Sequence, residues 1–378
     1  MLRKASRNQR GSALILSVAL LFVLFSFLAF SIDSGFLAAT KAELRRTADA
    51  SAMAGAWRLY EKLVDGVALD YATTDVQSVC ASTAAGNLVC NTAPQLQQSG
   101  ASQDVTVGYL ADLLPSTAIS SSSSHPYFAV QVAVRRNSSI NGEVPYFFGK
   151  IFGNPGQNMD ASATAVMARR ISGFETPSTS NDTLNVLPFA LDQQTWNALA
   201  TSTDTYSYNR TTGAVSSGSD GVTEVNLYPQ GTGSPGNRGT VDIGGANNST
   251  ADIARQIVSG ISAADIAALG KELKFNSSGS MTLNGDTGIS AGVKDELASI
   301  IGKTRIIPIF SSVSGNGNNA NYTIVKWVGV RILDVKLTGA MSQKKVIIQP
   351  APIIARGGTV STGTSTSDYV FSPVILAR

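Results

Sequence analysis

Two short motifs in this sequence contain residue types that carry chemistry in other proteins. Gly302-Lys303-Thr304 has the residues that end a phosphate-binding loop, but such a loop needs a glycine five residues before Gly302, and Leu297 stands there. Asp286-Thr287-Gly288 has the residues of an aspartic-protease triplet, whose chemistry needs two carboxylates that share a proton. The glycine-rich run 231–239 lacks the spacing of a dinucleotide-binding loop. We therefore expect turns or surface loops at these places.

The remaining candidates for chemistry are isolated. His125 is the only histidine, and it follows the serine run 120–124, where no rigid element would hold a catalytic triad. One histidine and two cysteines are too few for the usual zinc site. Calcium bound in a loop near Asp242 or Asn316 stays an open alternative. We expect no catalytic residue, no metal and no cofactor, and we predict that the chain is not an enzyme.

The two cysteines, Cys80 and Cys90, could form a covalent link. An even pair at short spacing predicts one disulfide that closes a small loop when the compartment is oxidising. Two free buried thiols are the alternative.

The predicted secondary structure begins with an uninterrupted apolar run near the N-terminus. No charged residue stands between Arg10 and Asp33. As a helix this run covers about 33 Å at ~1.5 Å per residue, enough for a hydrocarbon core of ~30 Å. We predict a transmembrane helix over 12–32. A cleaved signal peptide is the alternative, because small residues follow Asp33, whereas a buried helix of a soluble protein is usually shorter and has a polar face.

The flanking charges predict the orientation of this helix. No acidic residue precedes the run, and the positive-inside rule places the basic tail 1–11 in the cytoplasm and residues 33–378 outside. We therefore predict a single-pass protein of the cell (inner) membrane with periplasmic or extracellular C-terminal domains. The residues that set this topology are Arg3, Lys4, Arg7 and Arg10.

Composition narrows the class of partner. Apolar residues make up 43% of the chain, which permits a substantial core, and charged residues make up only 15%, below the usual ~25%. The net charge of +3 is misleading, because the tail holds four of the 29 basic residues, which leaves 25 basic against 26 acidic residues elsewhere. No basic surface is expected there, so we predict no nucleic-acid binding.

The helix is predicted to continue beyond the membrane. Residues 36–65 contain no proline and are rich in helix-forming residues, so one helix of roughly 50–60 residues is expected from its apolar periodicity. Asp33 and Asp49 on this helix are further candidates for contact with a neighbouring protein. Rows of small residues permit close approach of a second backbone, either within the same domain or in another subunit. The candidate helix-packing residues are Ala48, Ala52, Gly55 and Ala56.

Alternating polar and apolar residues predict half-buried strands at 104–110, 127–136 and 159–170. The long helix is expected to lie across this antiparallel sheet. An apolar cluster follows the second strand, and we expect it to cap the sheet: Phe147, Phe148, Ile151 and Phe152.

Residues 172–184 are rich in turn-forming residues and are predicted to be a linker. The region 185–378 that follows is predicted to be a second α+β domain. Short helices are expected around Gln193–Leu199, Thr250–Ser259, Ser262–Leu269 and Gly292–Ile301, and strands at Arg305–Phe310, Tyr322–Leu337, Lys345–Ile348 and Tyr369–Leu376.

Three segments of the N-terminal region carry a family resemblance. They are Arg10-Gly11-Ser12-Ala13 before the apolar run, Ile32-Asp33-Ser34-Gly35 after it, and the block Leu44–Ala56, which reads LRRTADASAMAGA. In these segments the chain resembles TadE/TadG-like proteins of Tad (tight adherence) systems, which assemble Flp-type pili. The strands and aromatic cluster at 127–168 also fit, so the resemblance covers about the first 170 residues. Processed pilin-like members need a glutamate five residues after the cleavage point. For cleavage at Gly11 that position is Leu16, so the chain departs from those members.

The resemblance implies an α+β fold in which the transmembrane helix extends into a long pilin-like helix packed on a small antiparallel sheet. Together with the residue patterns above, the predicted domains are 1–11 (cytoplasmic basic tail), 12–32 (transmembrane helix), 33–171 (TadE/TadG-like), 172–184 (linker) and 185–378 (α+β). The resemblance does not extend to 185–378, and the role of that domain stays open. The implied function is a membrane-anchored accessory or pseudopilin-like component of Tad/Flp-type pilus assembly that acts through protein–protein contacts.

The implied partners are the membrane and other pilus or secretion-system proteins. A homo-oligomer is an open alternative, and no small-molecule substrate is expected. A tethered extracellular adhesin or binding module, with 185–378 as its active part, is the alternative function. A membrane-tethered hydrolase that uses His125 or Asp286 is a third hypothesis.

Overall fold

The computed structural model of the protein describes residues 10–66, 69–100, 102–179, 182–228, 238–244, 249–287, 289–315, 319–361 and 366–377. The helices are α1 (Arg10–Val64), α2 (Leu69–Ala85), α3 (Gln193–Asn197), α4 (Thr250–Ser259), α5 (Ala263–Leu269) and α6 (Lys294–Ala298). Short 3-10 helices lie at Gly149–Phe152, Leu199–Thr201, Ala291–Val293 and Met341–Gln343.

α1 is one continuous helix of 55 residues, about 80 Å long at ~1.5 Å per residue. It contains no proline, so nothing in the sequence interrupts its hydrogen-bond ladder. Its first part is long and apolar enough to cross a membrane, and the most apolar window of that part is not buried at all. The predicted continuation of the apolar segment into a long helix is confirmed.

The first layer on which α1 packs is a four-stranded antiparallel sheet. Its strand order is β1 (Val105–Leu110), β2 (Tyr127–Arg136), β5 (Met159–Ala168) and β21 (Ile375–Leu376). β2 and β5 pair over ten residues, from Tyr127 opposite Ala168 to Arg136 opposite Met159. The face toward the helices is lined by β-branched residues and alanine, which let α1 and α2 approach closely. The first five strands are β1 (Val105–Leu110), β2 (Tyr127–Arg136), β3 (Val144–Pro145), β4 (Gly156–Gln157) and β5 (Met159–Ala168).

The second region is built on a larger sheet. Five of its strands pair in the order β7 (Phe189–Asp192), β11 (Arg238–Val241), β13 (Met281–Thr287), β15 (Ala320–Lys336) and β14 (Thr304–Ser314). β14 also pairs with β7, so the five strands close into a ring. The strands after β5 are β6 (Ile171–Phe174), β7 (Phe189–Asp192), β8 (Tyr206–Tyr208), β9 (Val215–Ser217), β10 (Val225–Asn226), β11 (Arg238–Val241), β12 (Leu273–Lys274), β13 (Met281–Thr287), β14 (Thr304–Ser314), β15 (Ala320–Lys336), β16 (Lys345–Pro350), β17 (Ile353–Ile354), β18 (Gly358–Val360), β19 (Ser367–Asp368), β20 (Val370–Phe371) and β21 (Ile375–Leu376), of which β21 belongs to the first sheet.

The core of this region lies on both faces of β15. On one face Trp327 is fully buried, its ring stacked on Phe275 at 5.6 Å between centroids and edge-on to Phe174 at 5.1 Å. On the other face Val328 and Val330 pack with apolar residues of the short helices. The mixture of helices and strands confirms the predicted α+β class.

Two observations revise the predicted boundary at 172–184. The first residues of the predicted linker belong to β6, whose four residues are all buried and which pairs with β12 and β18 of the second region. Ile171 and Phe174 are apolar, and burial of their side chains outweighs the turn preference of the residues around them. The C-terminal strand β21 returns to the first sheet and pairs with β5. The segment 185–378 is therefore not a separate block.

Candidate functional site along the long helix

The inner face of α1 carries the predicted small-residue row. Ala48 and Ala52 are fully buried, Ala56 is nearly so, and Gly55 is buried beside α2 and β2. A Cβ atom at Gly55 would lie 2.4 Å from Sγ of Cys80 and 3.0 Å from Cγ1 of Val130, so only glycine fits. The row permits the close approach of α1 to α2 and to the sheet.

These contacts bear on the predicted role of the row between subunits. Because the chain's own α2 and sheet cover Ala48, Ala52, Gly55 and Ala56, the row has no surface left for a second subunit in this fold. The interpretation as an ordinary intradomain packing face accounts for them. A subunit contact of α1 has to use a different face.

The structure contradicts the predicted disulfide, because both Cys80 and Cys90 are free thiols. Cys80 lies against Gly55, whereas Sγ of Cys90 is 2.8 Å from Oγ1 of Thr40. Thr40 and Gly55 are fifteen residues apart on one helix, roughly 22 Å along its axis, far beyond the reach of a disulfide. Antiparallel packing of α2 against α1 separates the two thiols, and short sequence spacing could not reveal this.

Burial changes the chemistry of one of these thiols. It raises the pKa of Cys80 to about 12, so the group stays protonated at neutral pH. A protonated thiol is a poor nucleophile. Cys80 therefore acts as a small apolar residue in the packing of α2 against α1.

Asp33 is the first charged residue after the apolar run, and its side chain is 92% buried. One carboxylate oxygen accepts the N–H of Phe147 at 2.8 Å, and the other accepts the N–H of Gly149 at 2.9 Å. The N–H of Phe148 lies within 3.3 Å of both oxygens. Asp33 thus clasps the turn that starts the 3-10 helix Gly149–Phe152 and satisfies N–H groups that this turn leaves free.

The clasped turn belongs to the tip of a hairpin formed by β3 and β4. We call residues 146–155 the juxtamembrane loop. The predicted apolar cluster is in this loop, but it does not cap the sheet. It lies beside α1, where Phe36 and Phe147 pack edge to face at 4.9 Å between ring centroids. The position of this loop beside α1 was not predicted from the sequence. Two signals for it were present in the sequence: an aspartate directly after the apolar run and an aromatic cluster without an assigned partner.

The outer face of α1 is open. Arg45 and Arg46 are exposed in the middle of the block Leu44–Ala56, and among the described residues neither takes part in a salt bridge. Trp57 is also exposed, and its ring contacts Tyr60 edge to face at 6.1 Å between ring centroids. Ala42 lies on the same side. The buried residues of the block Leu44–Ala56 pack inside the chain. The exposed side chains of the outer face are accessible to another molecule.

Packing of the sheet against the helices also uses a buried ion pair. Asp104 is nearly fully buried, with its Oδ1 2.6 Å from Nε of Arg135, and it accepts the N–H of Gln97 at 2.7 Å. The guanidinium of Arg136 donates to the carbonyls of Val89 and Gly142 at 2.8 and 2.9 Å. These partners tie the loop after α2 to β2, which is a structural role.

The motifs with chemical residue types are not brought together. His125 lies in the turn before β2, and its backbone N–H donates to the carbonyl of Ser122 at 3.3 Å. Asp286 is on β13 opposite Thr240. A second triplet of the same type, Asp33-Ser34-Gly35, lies in the other region, where backbone N–H groups hold the Asp33 carboxylate. Gly302 makes the turn before β14, with φ of 81°.

No group of three metal-ligating side chains occurs among the residues whose placement is described. Burial raises the pKa of Asp242, one of the two positions considered for calcium, and the charge of Asp252 adds to the shift. Asn316, residues 231–237 and Gly288 lie outside the described residues. So do Arg3, Lys4 and Arg7, while Arg10 begins α1, and the predicted topology stays a prediction.

Two models of known protein families match the region just described. Residues 11–58 match the family model of putative Flp pilus-assembly TadE/G-like proteins. Residues 54–166 match the model of putative Tad-like Flp pilus-assembly proteins. Together the two segments contain most of α1, all of α2 and the sheet up to β5. No curated protein and no solved structure matches the chain.

Proposed function

We propose that the chain is a membrane-anchored accessory subunit of Flp pilus assembly, because its residues 11–166 match family models of Tad-like Flp pilus-assembly proteins. It acts through protein–protein contacts and catalyses no reaction. The basic tail 1–11 lies in the cytoplasm, residues 12–32 span the membrane, and residues 33–378 lie outside.

The observation that carries this proposal is the division of α1 into three surfaces. The apolar surface of residues 13–32 is exposed all round and suits a membrane. The inner face of the next segment is fully used by the chain's own domain. The outer face of the segment beyond the predicted span, with Arg45, Arg46 and Trp57, is left open. Arginine and tryptophan are enriched among residues that dominate protein–protein binding energy.

A charge reversal on the outer face tests this role. In the organism of origin, a strain without the chain is complemented with Arg45→Glu plus Arg46→Glu. We expect normal amounts of the variant in the membrane fraction and a large loss of pilin from the sheared surface fraction. The matched control reverses two exposed lysines of the second region, Lys303 and Lys336, and keeps wild-type piliation.

Three results decide between the hypotheses. Wild-type piliation with the Arg45 and Arg46 reversal would refute the contact through the outer face. A strain without the chain that still assembles pili but loses surface attachment would favour the alternative function, an adhesin or binding module. Loss of piliation in both strains, with the control variant active, supports the assembly role.

A further inference from the structure

The juxtamembrane loop presents apolar side chains that no part of the described chain covers. Phe147, Ile151 and Phe152 are 60%, 76% and 68% exposed. They are neighbours in one turn, unlike the singly scattered apolar residues of an ordinary surface. Leaving such side chains in water forfeits the free energy that burial of their apolar surface would contribute. A contiguous apolar tip of this kind indicates that something apolar covers it.

The position of the tip indicates what covers it. Between the loop and α1 lies a cavity of about 390 Å³, lined on the helix from Ser26 to Leu37 and on the loop by Phe148 and Phe152. Ser26 is seven residues before Asp33, roughly 10 Å deeper along the helix axis. The loop therefore lies alongside the outer end of the predicted span, and its apolar surface continues the exposed apolar surface of α1.

The backbone of the loop is suited to an environment with little water. N–H groups in a bilayer need partners within the protein. Besides the three amides held by Asp33, the loop's own carbonyls accept from four others. These bonds run from Tyr146 to Pro155, from Ile151 to Phe148, from Gly153 to Lys150 and from Asn154 to Gly149.

We propose that the juxtamembrane loop inserts Ile151 and Phe152 into the outer boundary of the same bilayer that α1 spans. The occupant of this surface is lipid, at the level where headgroups meet acyl chains. Interfacial segments typically bury their apolar face about 5–10 Å into that zone, which agrees with the depth given by Ser26. Lys150, exposed at the same tip, extends its ammonium to the headgroups while its stem stays apolar.

The consequence is a second point of attachment. A single helix alone leaves the outer domain free to tilt and rotate about its axis. With the loop in the interface and Asp33 joining loop to helix, the sheet and the outer face of α1 take one orientation relative to the membrane. This inference rests on the membrane anchor of the proposed function and is independent of the pilus role.

Spin labels in the full chain test the insertion. Cys90→Ser keeps a hydroxyl near Thr40, and Cys80 is buried, so this background offers no exposed thiol. Phe152→Cys, Leu20→Cys and Leu114→Cys are each added, labelled with a nitroxide and reconstituted in phosphatidylethanolamine–phosphatidylglycerol vesicles. Leu114 is the matched control. It is 61% exposed and follows the end of β1 that pairs with Tyr127, at the opposite end of the sheet from Arg136 and the juxtamembrane loop.

The readout is collision of each label with oxygen, which enters lipid, relative to a water-soluble nickel chelate. We expect the ratio at 152 to be several-fold higher than at 114 and to approach the ratio at 20. Equal ratios at 152 and 114, with a lipid signal at 20, overturn the loop insertion and leave the anchor intact. A water signal at all three positions overturns the anchor and the insertion together. Shielding of 152 from both agents indicates a protein contact and also overturns the proposal.

Discussion

At the scale of single residues, Asp33 shows how a charge at the edge of an apolar run acquires a structural role. Its two oxygens serve three backbone N–H groups of a loop more than a hundred residues away in sequence. Charge-assisted hydrogen bonds of this kind are stronger than those between neutral groups. The aspartate thus fixes where the hairpin tip meets the helix.

Replacing Asp33 tests this clasp. Asp33→Asn leaves one carbonyl oxygen for three donors, and a buried donor without an acceptor costs about 1–3 kcal/mol. We expect faster hydrogen exchange in 146–152 in detergent micelles, measured by mass spectrometry. Asp49→Asn, at a partly exposed position on the same helix, is the control and should exchange like the wild type. Unchanged exchange in the Asp33 variant would show that the loop is held by its own packing.

The two cysteines give a second prediction at this scale. The intact mass under non-reducing conditions should correspond to two free thiols, without the loss of two hydrogens that a disulfide brings. Iodoacetamide at neutral pH should leave Cys80 unmodified in the folded chain, because burial raises the pKa of its thiol to about 12. It should modify Cys80 after denaturation. A mass lower by two hydrogens, or peptides linked through Cys80 and Cys90, would contradict the separation of the thiols along α1.

At the scale of elements, α1 changes its surroundings along its length while its backbone stays helical. Residues 14–30 present large apolar side chains on every side, whereas from Leu44 onward the buried positions are mostly small. Large residues suit lipid, which adapts to their shape, and small residues suit a second backbone, which does not. The change in residue size along one helix thus marks the exit from the membrane.

Close packing at the inner face makes a size change there costly. Gly55→Leu would drive side-chain atoms into Cys80 and Val130, and we expect a loss of about 1–3 kcal/mol from overpacking. Ala42→Leu, on the exposed outer face of the same helix, should be nearly neutral. Thermal unfolding of the full chain in detergent, followed by circular dichroism, measures both. Equal melting temperatures for the two variants would mean that α1 and α2 are less closely packed than the structure shows.

At the scale of the whole molecule, the chain crosses between its two regions more than once. After β5 it enters the second region through β6, and it returns at the end to place β21 beside β5. Phe371 and Val374 join the core under α1, and the carbonyl of Thr164 accepts the N–H of Ala377 at 2.8 Å. The last residues therefore cover an edge of the first sheet that would otherwise be open.

Removing the last strand tests this connection. A chain that ends at Pro373 should show faster exchange in 161–168 and a lower melting temperature, because β5 loses a paired neighbour and Val374 leaves the core. Leu376→Ala shortens a side chain that is 44% exposed but keeps the backbone pairing, so it should behave like the wild type. Wild-type exchange in the shortened chain would show that β21 contributes no stability to the first sheet.

The sequence by itself determined the elements whose cause is local. An apolar run without charges specified the exposed helix, and alternation specified β1, β2 and β5 within a few residues. A side-chain cap marked one short helix of the second region. The predicted helix Thr250–Ser259 is observed, and the backbone N–H of Asp252 donates to the side chain of Ser249 at 3.1 Å. Such signals lie within a few residues of the structure they specify.

Only the tertiary structure decided what depends on contacts between distant segments. It placed Cys80 and Cys90 against distant stretches of α1, near Gly55 and Thr40, closed five strands into a ring and buried the small-residue row inside the chain's own domain. It brought Asp33 to the hairpin tip, where an apolar cluster expected to cap the sheet lies beside the membrane helix. Each of these outcomes follows from close packing or from the need of buried polar groups for hydrogen-bond partners. None of them can be predicted from sequence spacing alone.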